Sequence, residues 1–539
     1  MGRTQVEADL GEAANRPRMN ALARSVLLAC WNVGVTEFVV CAGARNAPLV
    51  GPLAKAGGLG SAVRVRSFSE ERSAAFFALG RARALGEPVA VVTTSGTAVA
   101  ELLPAVVEAH YQGVPLLALS ADRPKTFRGT GAPQAIEQPG IFGRYVGYSV
   151  DIDESGPNGD CLAEWDQSGP AHLNVCLPEP AAGDCETTEQ EIASLFSSRH
   201  RQSASEPLAE NETLERFLDN KDSLLVLLGE IPAKERLDIR DFLRRLGAPI
   251  LAEATSGLRE DPELQFLMIR AGGRSALSLS PDRILRIGGV PVWRLWRDLE
   301  SRPGIPVLSV SPTRLPGLAR PSEVVQHVGW ESVKVSPRTP PDLPHRPLED
   351  MLDRFLRSEC ALVGWLSRVI PESSAVFLGN SLPIREWNLA AAYEDRGLQC
   401  FANRGANGID GVVSTALGIG ADTEEMWILI GDLTALYDLA ALWVLPQLSC
   451  RRVRVVVVNN GGGRIFSRLP ALRETDDTAM QVIENRHEIS FQHWAGQWGA
   501  HYTRVQETGP LDLPDGPVVL EVVPDATESE AFWSEWEKC

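Results

Sequence analysis

The chain alternates short apolar runs with stretches whose apolar residues recur at helical spacing. Near its start these runs cover residues 37–41, 88–93 and 115–121. The later runs cover residues 224–228, 249–252, 284–287, 307–310, 375–378, 426–430, 453–458 and 518–523. Strands that alternate with helices in this way are typical of parallel sheets wound on both faces, so the pattern predicts an α/β fold.

Two breaks divide the pattern. A polar stretch over residues 200–212 is typical of a linker, and the prolines between residues 337 and 347 are dense enough to prevent regular strand pairing. Since 539 residues exceed what one core usually serves, we predict three doubly wound parallel-sheet domains. They would cover residues 20–185, 205–335 and 348–539, after a disordered N-terminus over residues 1–19.

Composition narrows the classes of function. Lys and Arg number 52 against 70 Asp and Glu, which gives a net charge of −18. Nucleic acids and anionic membranes attract basic surfaces, so we expect neither as a partner. The sequence contains no apolar stretch typical of a membrane span or a signal peptide, which predicts a cytoplasmic protein. The nine scattered cysteines form no Cys-x-x-Cys pair, so we expect neither a disulfide framework nor a zinc site.

Polar residues after two of the late apolar runs predict a metal site. Asp432 follows the run 426–430, and Asn460 follows the run 453–458, 28 positions after Asp432. Both strands would end at one edge of a parallel sheet, where α/β proteins bind ligands. Mg²⁺ prefers oxygen ligands and takes only a few from protein, which leaves the others to phosphate and water. The alternative is that both segments are ordinary turns, because Gly, Asp and Asn are common turn formers.

Together the two segments resemble the metal-binding motif of thiamin-diphosphate-dependent enzymes, which starts with Gly-Asp and ends with Asn-Asn at a similar spacing. By that resemblance Asp432 and Asn460 are side-chain ligands of Mg²⁺ or Mn²⁺, and Gly462 supplies a backbone carbonyl. The cofactor would be thiamin diphosphate. Thr434 would hydrogen-bond the diphosphate, although a helix N-cap explains this residue equally well.

A glutamate in the first predicted domain suits the same cofactor. Glu71 lies in a Glu-Glu-Arg-Ser-Ala-Ala run after the apolar segment 63–68. An acidic residue at a helix start can simply favour the positive end of the helix dipole. Thiamin-diphosphate enzymes, however, need a carboxylate at the pyrimidine ring, and a carboxyl group in an apolar pocket can share a proton because burial raises its pKa. We therefore predict Glu71 as the catalytic residue, in contact with the cofactor.

Further segments make the resemblance more specific. They are residues 94–99, 121–124, 134–136, 138–140, 379–382, 403–406, 408–411, 431–439 and 465–467. In this order they resemble the MenD family of 2-succinyl-5-enolpyruvyl-6-hydroxy-3-cyclohexene-1-carboxylate synthases, from about residue 20 to the C-terminus. The resemblance implies a transferase of menaquinone or phylloquinone biosynthesis. It would decarboxylate 2-oxoglutarate and add the remaining succinyl group to isochorismate in a 1,4-addition.

The same resemblance assigns the residues that contact the ligands. Both substrates are dicarboxylates, and the planar guanidinium of arginine binds a carboxylate at two points. The implied substrate-binding residues are Arg45, Arg123, Gln134, Ser381, Arg385, Arg404, Ile465, Phe466 and Leu469. The further cofactor-binding residues are Thr94, Ser95, Gly96 and Ile409, the last as the bulky support of the bent cofactor. Taken singly, such arginines are more typical of the protein surface, and such apolar residues of a core.

The chain departs from the family pattern at several positions. Ala44 replaces a serine whose hydroxyl would contact substrate, Pro133 replaces an asparagine, and Glu137 replaces a basic residue. No residue clearly matches the substrate-facing lysine of the middle domain, for which Arg294 is the nearest substitute. We expect structural or exposed positions for three histidines without metal-ligand spacing: His172, His487 and His493.

The predicted glutamate and metal motif fall in different domains. In related enzymes the first domain of one subunit faces the third domain of another, so the resemblance implies a homodimer with interfacial active sites, or a homotetramer. A simple 2-oxoacid decarboxylase or another carboligase would share Glu71, Asp432 and Asn460 without needing four arginines. A non-catalytic relative would need neither the glutamate nor the metal pair.

Overall fold

The computed structural model describes residues 20–60, 62–156, 160–181, 183–185, 187–197, 209–219, 223–270, 272–344 and 348–538. The expected disordered segment, residues 1–19, lies outside these ranges. The chain folds around three parallel sheets with helices between the strands, which confirms the predicted α/β fold class. It divides into two compact units, Met1–Ala204 and Ser205–Cys539, of which the second contains two of the sheets.

The first unit is built on a six-stranded parallel sheet. Its strands are β1 (Glu37–Cys41), β2 (Arg64–Phe68), β3 (Val89–Thr93), β4 (Leu116–Asp122), β5 (Tyr148–Ile152) and β6 (Ala171–Cys176). Its helices are α1 (Ala21–Asn32), α2 (Ala47–Gly58), α3 (Glu71–Leu85), α4 (Thr97–Ala100), α5 (Leu103–Gln112) and α6 (Glu189–Leu195). In the order β2-β1-β3-β4-β6-β5, the direction of winding changes between β1 and β3, where open α/β sheets bind ligands.

The second unit begins with a five-stranded parallel sheet, called the central sheet below. Its strands are β7 (Leu224–Leu228), β8 (Ile250–Ala252), β9 (Arg283–Ile287), β10 (Val307–Val310) and β11 (Glu323–Val325), in the order β11-β10-β9-β7-β8. Its helices are α7 (Asn211–Leu218), α8 (Arg236–Leu246), α9 (Gly272–Ser278) and α10 (Arg294–Asp298).

A six-stranded parallel sheet, called the C-terminal sheet below, completes the second unit. Its strands are β12 (Ala375–Leu378), β13 (Gln399–Phe401), β14 (Glu425–Gly431), β15 (Arg452–Val458), β16 (His501–Val505) and β17 (Val518–Val522), in the order β13-β12-β14-β15-β17-β16. Its helices are α11 (Leu348–Arg354), α12 (Glu359–Val369), α13 (Leu382–Ala390), α14 (Val412–Ile419), α15 (Asp432–Tyr437), α16 (Asp477–Ile483), α17 (Gln492–Gln497) and α18 (Ala526–Trp536).

The two predicted breaks have different outcomes. The linker prediction is wrong at its end, because Asn211–Leu218 forms a helix that buries Leu214 and Leu218 one turn apart. Residues 200–208 of that stretch lie outside the described ranges. The proline-rich break agrees with residues 333–344, which form neither helix nor strand, while the division into three domains stays a prediction. No helix in the described part of the chain is long and apolar enough to cross a membrane.

A buried ion pair ties helix α3 to strand β1. Arg81 Nη2 lies 2.9 Å from Glu37 Oε2, Arg81 Nε lies 3.0 Å from both carboxylate oxygens, and each side chain is 1% exposed. Helix α3 carries Glu71 in its first turn, and β1 leads into the loop of Arg45. The ion pair therefore fixes two segments that carry predicted site residues.

Removing one partner of this pair should leave a buried charge without compensation. We expect Arg81→Met to lower the free energy of unfolding of the first unit by about 3–5 kcal/mol, and the double variant with Glu37→Leu to recover most of it. Urea unfolding followed by circular dichroism measures both. Asp515→Asn, which breaks an exposed pair with Arg452, is the control and should change stability little. An Arg81→Met protein as stable as the wild type would contradict this role.

Candidate active site

Loops at the carboxyl edge of the first sheet bring predicted residues together. Thr94, Ser95 and Gly96 directly follow β3, and Gly43 follows β1. A Cβ placed on Gly43 would lie 2.6 Å from Thr94 Cβ, closer than packed atoms allow. The glycine therefore lets the two loops pack directly against each other at the point where the winding direction changes.

Gly96 contacts the predicted substrate residue Gln134. It has a φ of 89°, and a Cβ placed on it would lie 3.2 Å from Gln134 Cα. Gln134 itself has a φ of 56°, a conformation uncommon in residues other than glycine and often found at functional sites. The N–H of Gly96 donates to Gln138 Oε1 at 2.9 Å. Gln138, which lies in one of the family-like segments but was assigned no role, is fully buried and donates through its Nε2 to Asn174 Oδ1 at 2.8 Å.

Two adjacent glutamates at the start of α3 have different roles. Glu70 is the N-cap, and its carboxylate accepts from the N–H groups of Arg72 at 3.1 Å and Ser73 at 2.8 Å. Glu71 is the first helical residue and is half-buried. Burial raises the pKa of Glu71, and the charges of Glu70 and Glu101 raise it further, against its own backbone amide. Glu70 therefore caps the helix, whereas burial favours the protonated form of the Glu71 carboxyl group.

The two predicted arginines of the first unit have weak partners. Arg45 is 6% exposed, donates to the Leu177 carbonyl at 3.2 Å and pairs with Glu179, a side chain that is 74% exposed. Arg123 stacks its guanidinium 5.2 Å from the Phe127 ring centre. Its Nε is buried and has no hydrogen-bond partner among the described residues. An ion pair to an exposed carboxylate contributes little to stability, so Arg45 can exchange Glu179 for another anion.

Asp432 lies at the end of β14 and is held by backbone amides. Its Oδ2 accepts from Gly461 N–H and Gly462 N–H, each at 2.9 Å, and its Oδ1 accepts from Leu433 N–H at 2.6 Å. His487 Nε2 lies 3.4 Å from the same Oδ2. Burial raises the pKa of Asp432, and the amides and His487 oppose that rise. Sequence spacing gave no reason to associate His487 with this carboxylate.

Asn460 and Gly462 provide the other predicted metal ligands. Asn460 Nδ2 donates to Glu359, whereas Asn460 Oδ1 is buried without a donor anywhere in the described ranges. The carbonyl of Gly462 accepts the Arg464 N–H at 2.9 Å, which leaves its second lone pair. A buried oxygen that lacks a donor suits a cation, and a carboxylate, an amide oxygen and a carbonyl are the hard ligands that Mg²⁺ and Mn²⁺ prefer. These residues therefore fit the implied metal.

The segments after β12 and β13 contain two more predicted arginines, Arg385 and Arg404. Ser381 has a φ of 72°, a strained conformation for a residue with a side chain, and its carbonyl accepts from Arg385 Nη1. Asn380 Oδ1 accepts from Arg404 Nη1 at 2.9 Å, and Asn380 Nδ2 donates to the Gly408 carbonyl at 2.7 Å. Burial and the neighbouring charge of Arg404 lower the pKa of Arg385 to about 10, so this guanidinium stays charged at neutral pH. Two cations that act on each other in this way favour a bound anion.

Other predicted residues lie near these groups. Ile409 is half-buried in the irregular segment before α14. Thr434 is 2% exposed in the first turn of α15, whose N-cap is Gly431, so the alternative of Thr434 as an N-cap is wrong. Arg294 is half-exposed and pairs with Asp298 at 3.4 Å. The cation of α10 whose charge acts on Arg385 is Arg297 instead.

In the segment after Gly463, polar side chains line a cleft and the predicted apolar residues do not. Arg464, Ser467 and Arg468 line a cleft of about 800 Å³ beside Asn460. The residues between them are the predicted apolar wall: Ile465, Phe466 and Leu469. These three are half-buried and do not belong to the lining of that cleft.

Comparison with known proteins identifies relatives of this chain. Residues 20–141 match the family model of the thiamine pyrophosphate enzyme N-terminal TPP binding domain. The chain is 40% identical to the 2-succinyl-5-enolpyruvyl-6-hydroxy-3-cyclohexene-1-carboxylate synthase of Bdellovibrio bacteriovorus, over 96% of this chain and 98% of that protein. It is 41% identical to the protein of the same name from Akkermansia muciniphila, over 95% of this chain and 97% of that one.

A solved structure shares the fold. It is the X-ray structure of a candidate thiamin diphosphate-dependent enzyme from Mycobacterium smegmatis, with a TM-score of 0.67 at 19% identity. The likeness covers 94% of this chain and 100% of that one. At this identity the likeness shows the fold, and the curated relatives show the family.

Gly462 provides a test of the predicted metal site. It has a φ of 134°, and a Cβ there would lie 2.6 Å from the Glu484 carbonyl oxygen. Backbone strain of this kind costs about 1–3 kcal/mol, so Gly462→Ala should weaken Mg²⁺-dependent binding of thiamin diphosphate by about tenfold or more. Calorimetric titration with and without Mg²⁺ measures the effect. Gly496→Ala, where a Cβ meets no atom within 4 Å, is the control, and equal affinities for the two variants would argue against the assignment.

Proposed function

The chain belongs to the 2-succinyl-5-enolpyruvyl-6-hydroxy-3-cyclohexene-1-carboxylate synthase family of thiamin-diphosphate-dependent enzymes, and on that premise we propose that it joins 2-oxoglutarate to isochorismate. It is then a transferase of menaquinone or phylloquinone biosynthesis. The observation that supports these substrates best is the pair Arg385 and Arg404 at the sheet edge that also carries Asp432. In a chain with a net charge of −18, local arginines are needed to bind dicarboxylates.

The proposed cofactor contacts are the residues that the family resemblance assigns. Asp432, Asn460 and Gly462 hold Mg²⁺ or Mn²⁺, and the metal with Thr434 holds the diphosphate. Thr94, Ser95 and Gly96 contact the pyrimidine end, and Ile409 supports the cofactor between its rings. When bound, thiamin diphosphate supplies a nucleophilic carbon and accepts the electron pair left by departing carbon dioxide. Support comes from the matched N-terminal domain and from the donorless Oδ1 of Asn460.

Glu71 is the proposed proton-holding group at the pyrimidine ring. Burial raises the pKa of Glu71. Because Glu70 caps the helix, the Glu71 carboxyl group is not used as the cap. A carboxyl group with a raised pKa can give and retake a proton near neutral pH. This is the protein's own contribution to activating the cofactor.

The proposed substrate contacts separate into polar and apolar groups. The four arginines bind the carboxylates of the two substrates, and Gln134 and Ser381 add hydrogen bonds. The apolar wall of Ile465, Phe466 and Leu469 shields the reacting carbons from water. The strained φ values of Gln134 and Ser381 support this proposal, since strain of this kind is concentrated at functional sites.

The proposed assembly is a homodimer, or a homotetramer built from such dimers, in the cytoplasm. In it, residues 20–185 form the pyrimidine-binding domain, residues 205–335 the central domain and residues 348–539 the diphosphate-binding domain. Each active site combines Glu71 of one subunit with Asp432 of the other.

The test of this function is isochorismate consumption by the purified protein with thiamin diphosphate and Mg²⁺, with and without 2-oxoglutarate. We expect consumption only with 2-oxoglutarate, and a product whose mass includes the succinyl group. Glu71→Gln should lower kcat by about 10²–10⁴-fold while cofactor affinity is unchanged, because the proton-holding carboxyl is gone. Glu154→Gln, at an exposed glutamate of the same unit, is the control and should leave kcat within about twofold.

Other outcomes of the assay point elsewhere. Release of carbon dioxide from 2-oxoglutarate with isochorismate untouched would indicate another thiamin-diphosphate-dependent decarboxylase or carboligase. Absence of both reactions would favour a non-catalytic protein. A Glu71→Gln variant with normal turnover would remove Glu71 from the proposed role.

A further inference from the structure

A row of polar side chains crosses the interior of the first sheet, and the proposed reaction does not use it. Ser120 of β4, Asn174 of β6 and Asp151 of β5 stand opposite one another in the strand register. Ser120 and Asn174 are at most 1% exposed, and Ser120 Oγ donates to Asn174 Oδ1 at 2.8 Å. Buried polar groups are costly unless they are hydrogen-bonded, so the partners of this row decide what it does.

One end of the row is charged. Arg128 donates through Nη1 and Nη2 to the two carboxylate oxygens of Asp151, each at 2.8 Å, and through Nη2 to Asp122 Oδ2 at 3.0 Å. Burial opposes ionisation of Asp151, but the hydrogen bonds from Arg128 and Asn174 outweigh it and lower the pKa of this carboxyl group below its ordinary value. Because a guanidinium has only donors and an ionised carboxylate only acceptors, the direction of each bond at this end is fixed.

The charged end determines the orientation of two side-chain amides. Asn174 Nδ2 donates to Asp151 Oδ1 at 2.8 Å and to Asp122 Oδ2 at 3.1 Å, so its Oδ1 points away from the carboxylates. That Oδ1 accepts from Gln138 Nε2 at 2.8 Å, and Gln138 Oε1 accepts the N–H of Gly96 at 2.9 Å. Reversing either amide would place oxygen against oxygen. The five linked side chains are called the amide relay below: Arg128, Asp122, Asp151, Asn174 and Gln138.

The other end of the amide relay lies at residues with proposed ligand contacts. Gly96 is buried and packs against Gln134, whose φ is 56°. Asp122 Oδ1 accepts the N–H of Arg123 at 2.7 Å. The relay therefore fixes the backbone of Gly96 and Arg123 directly, and that of Gln134 through Gly96.

We propose that the amide relay positions the 94–96 loop and Gln134 before ligands bind, with Gln138 as the positioning residue that reaches the loop. Gln138 acts through the Gly96 N–H and touches neither cofactor nor substrate. The ligand contacts of the loop and of Gln134 rest on the proposed function, whereas the hydrogen bonds of the relay do not. A loop held in its binding conformation beforehand loses less freedom when its ligand arrives.

Hydrogen exchange of the Gly96 amide tests the relay without turnover, in the full chain with thiamin diphosphate and Mg²⁺. Gln138→Met keeps a side chain of similar length and removes both hydrogen bonds, so this amide should exchange about tenfold faster or more, measured by mass spectrometry of overlapping peptides. The amides of β1, in the same sheet, should exchange at unchanged rates. An equal acceleration in β1 would mean that Gln138 only stabilises the fold and would overturn the proposal.

A change at the charged end should also reach Gly96. Arg128→Met removes the group that fixes the direction of both amides, so the Gly96 amide should exchange several-fold faster although Arg128 lies at the far end of the relay. Lys125→Met is the matched control: it removes the same charge 3.8 Å from Asp151 Oδ2, but from a side chain that is 44% exposed, and should leave the Gly96 rate unchanged. Equal rates in these two variants would contradict a directed relay.

Ligand affinity separates positioning from stability. When the binding-competent loop is less populated, the apparent dissociation constant rises in proportion, whereas bound ligand restores the loop. In Gln138→Met the dissociation constant of thiamin diphosphate at saturating Mg²⁺ should therefore rise about tenfold by calorimetry, with KM for substrate raised and kcat at saturation within about threefold of the wild type. Faster Gly96 exchange with unchanged affinity and KM would leave Gln138 a purely structural residue.

The two kinds of measurement distinguish this inference from the proposed reaction. If Gly96 exchange and thiamin diphosphate affinity change as expected in a protein whose wild type does not consume isochorismate, the proposed reaction is wrong and the amide relay stands. If the wild type turns over as expected and Gln138→Met alters neither exchange nor affinity, the relay is overturned and the proposed function stands.

Discussion

The register of two parallel strands determines the candidate metal site. β14 and β15 pair from Glu425 opposite Arg452 to Gly431 opposite Val458, so the two strands end at the same level. Asp432 and the Asn459-Asn460 segment therefore enter the same edge of the sheet, and the amides after Asn460 reach the Asp432 carboxylate at 2.9 Å. A shift of one residue would turn the alternate side chains to the other face and separate these groups. The proposed metal, and with it the diphosphate, depends on this pairing.

Sequence periodicity predicted most of the strands in the interior of the sheets, and β8 at an edge, but it missed the interior strand β6 and several edge strands. The run 37–41 coincides with β1, whose five residues are all buried. In contrast, β5, β11, β13 and β16 each form one edge of a sheet and are partly exposed. A strand with one open side needs no continuous apolar run, because only part of it is covered. The fold class was therefore predictable from the covered strands, whereas the full sheets were not.

The candidate site shows a second limit of sequence analysis. Motifs predicted which segments carry chemistry, but adjacent residues such as Glu70 and Glu71 differ in role through geometry alone: one accepts two helix amides, and the other does not cap. His487 is far along the chain from Asp432, whose carboxylate lies beside it, and Glu253 is far from Arg385, on whose charge it acts. No local spacing could have associated them. Such pairs become visible only when separate strands end at a common edge.

Arginines in this acidic chain differ in how their charge is compensated, and that difference bears on function. Arg81 is paired at 2.9 Å with the equally buried Glu37, so its charge is already satisfied inside the fold. Arg45 pairs with an exposed carboxylate, and Arg385 donates to the neutral carbonyl of Ser381. A guanidinium held by neutral or exposed partners is oriented and still able to attract an anion, whereas one in a buried ion pair is not. By this criterion Arg81 is structural, whereas Arg45 and Arg385 suit ligand binding, a distinction that depends on the partner of each arginine.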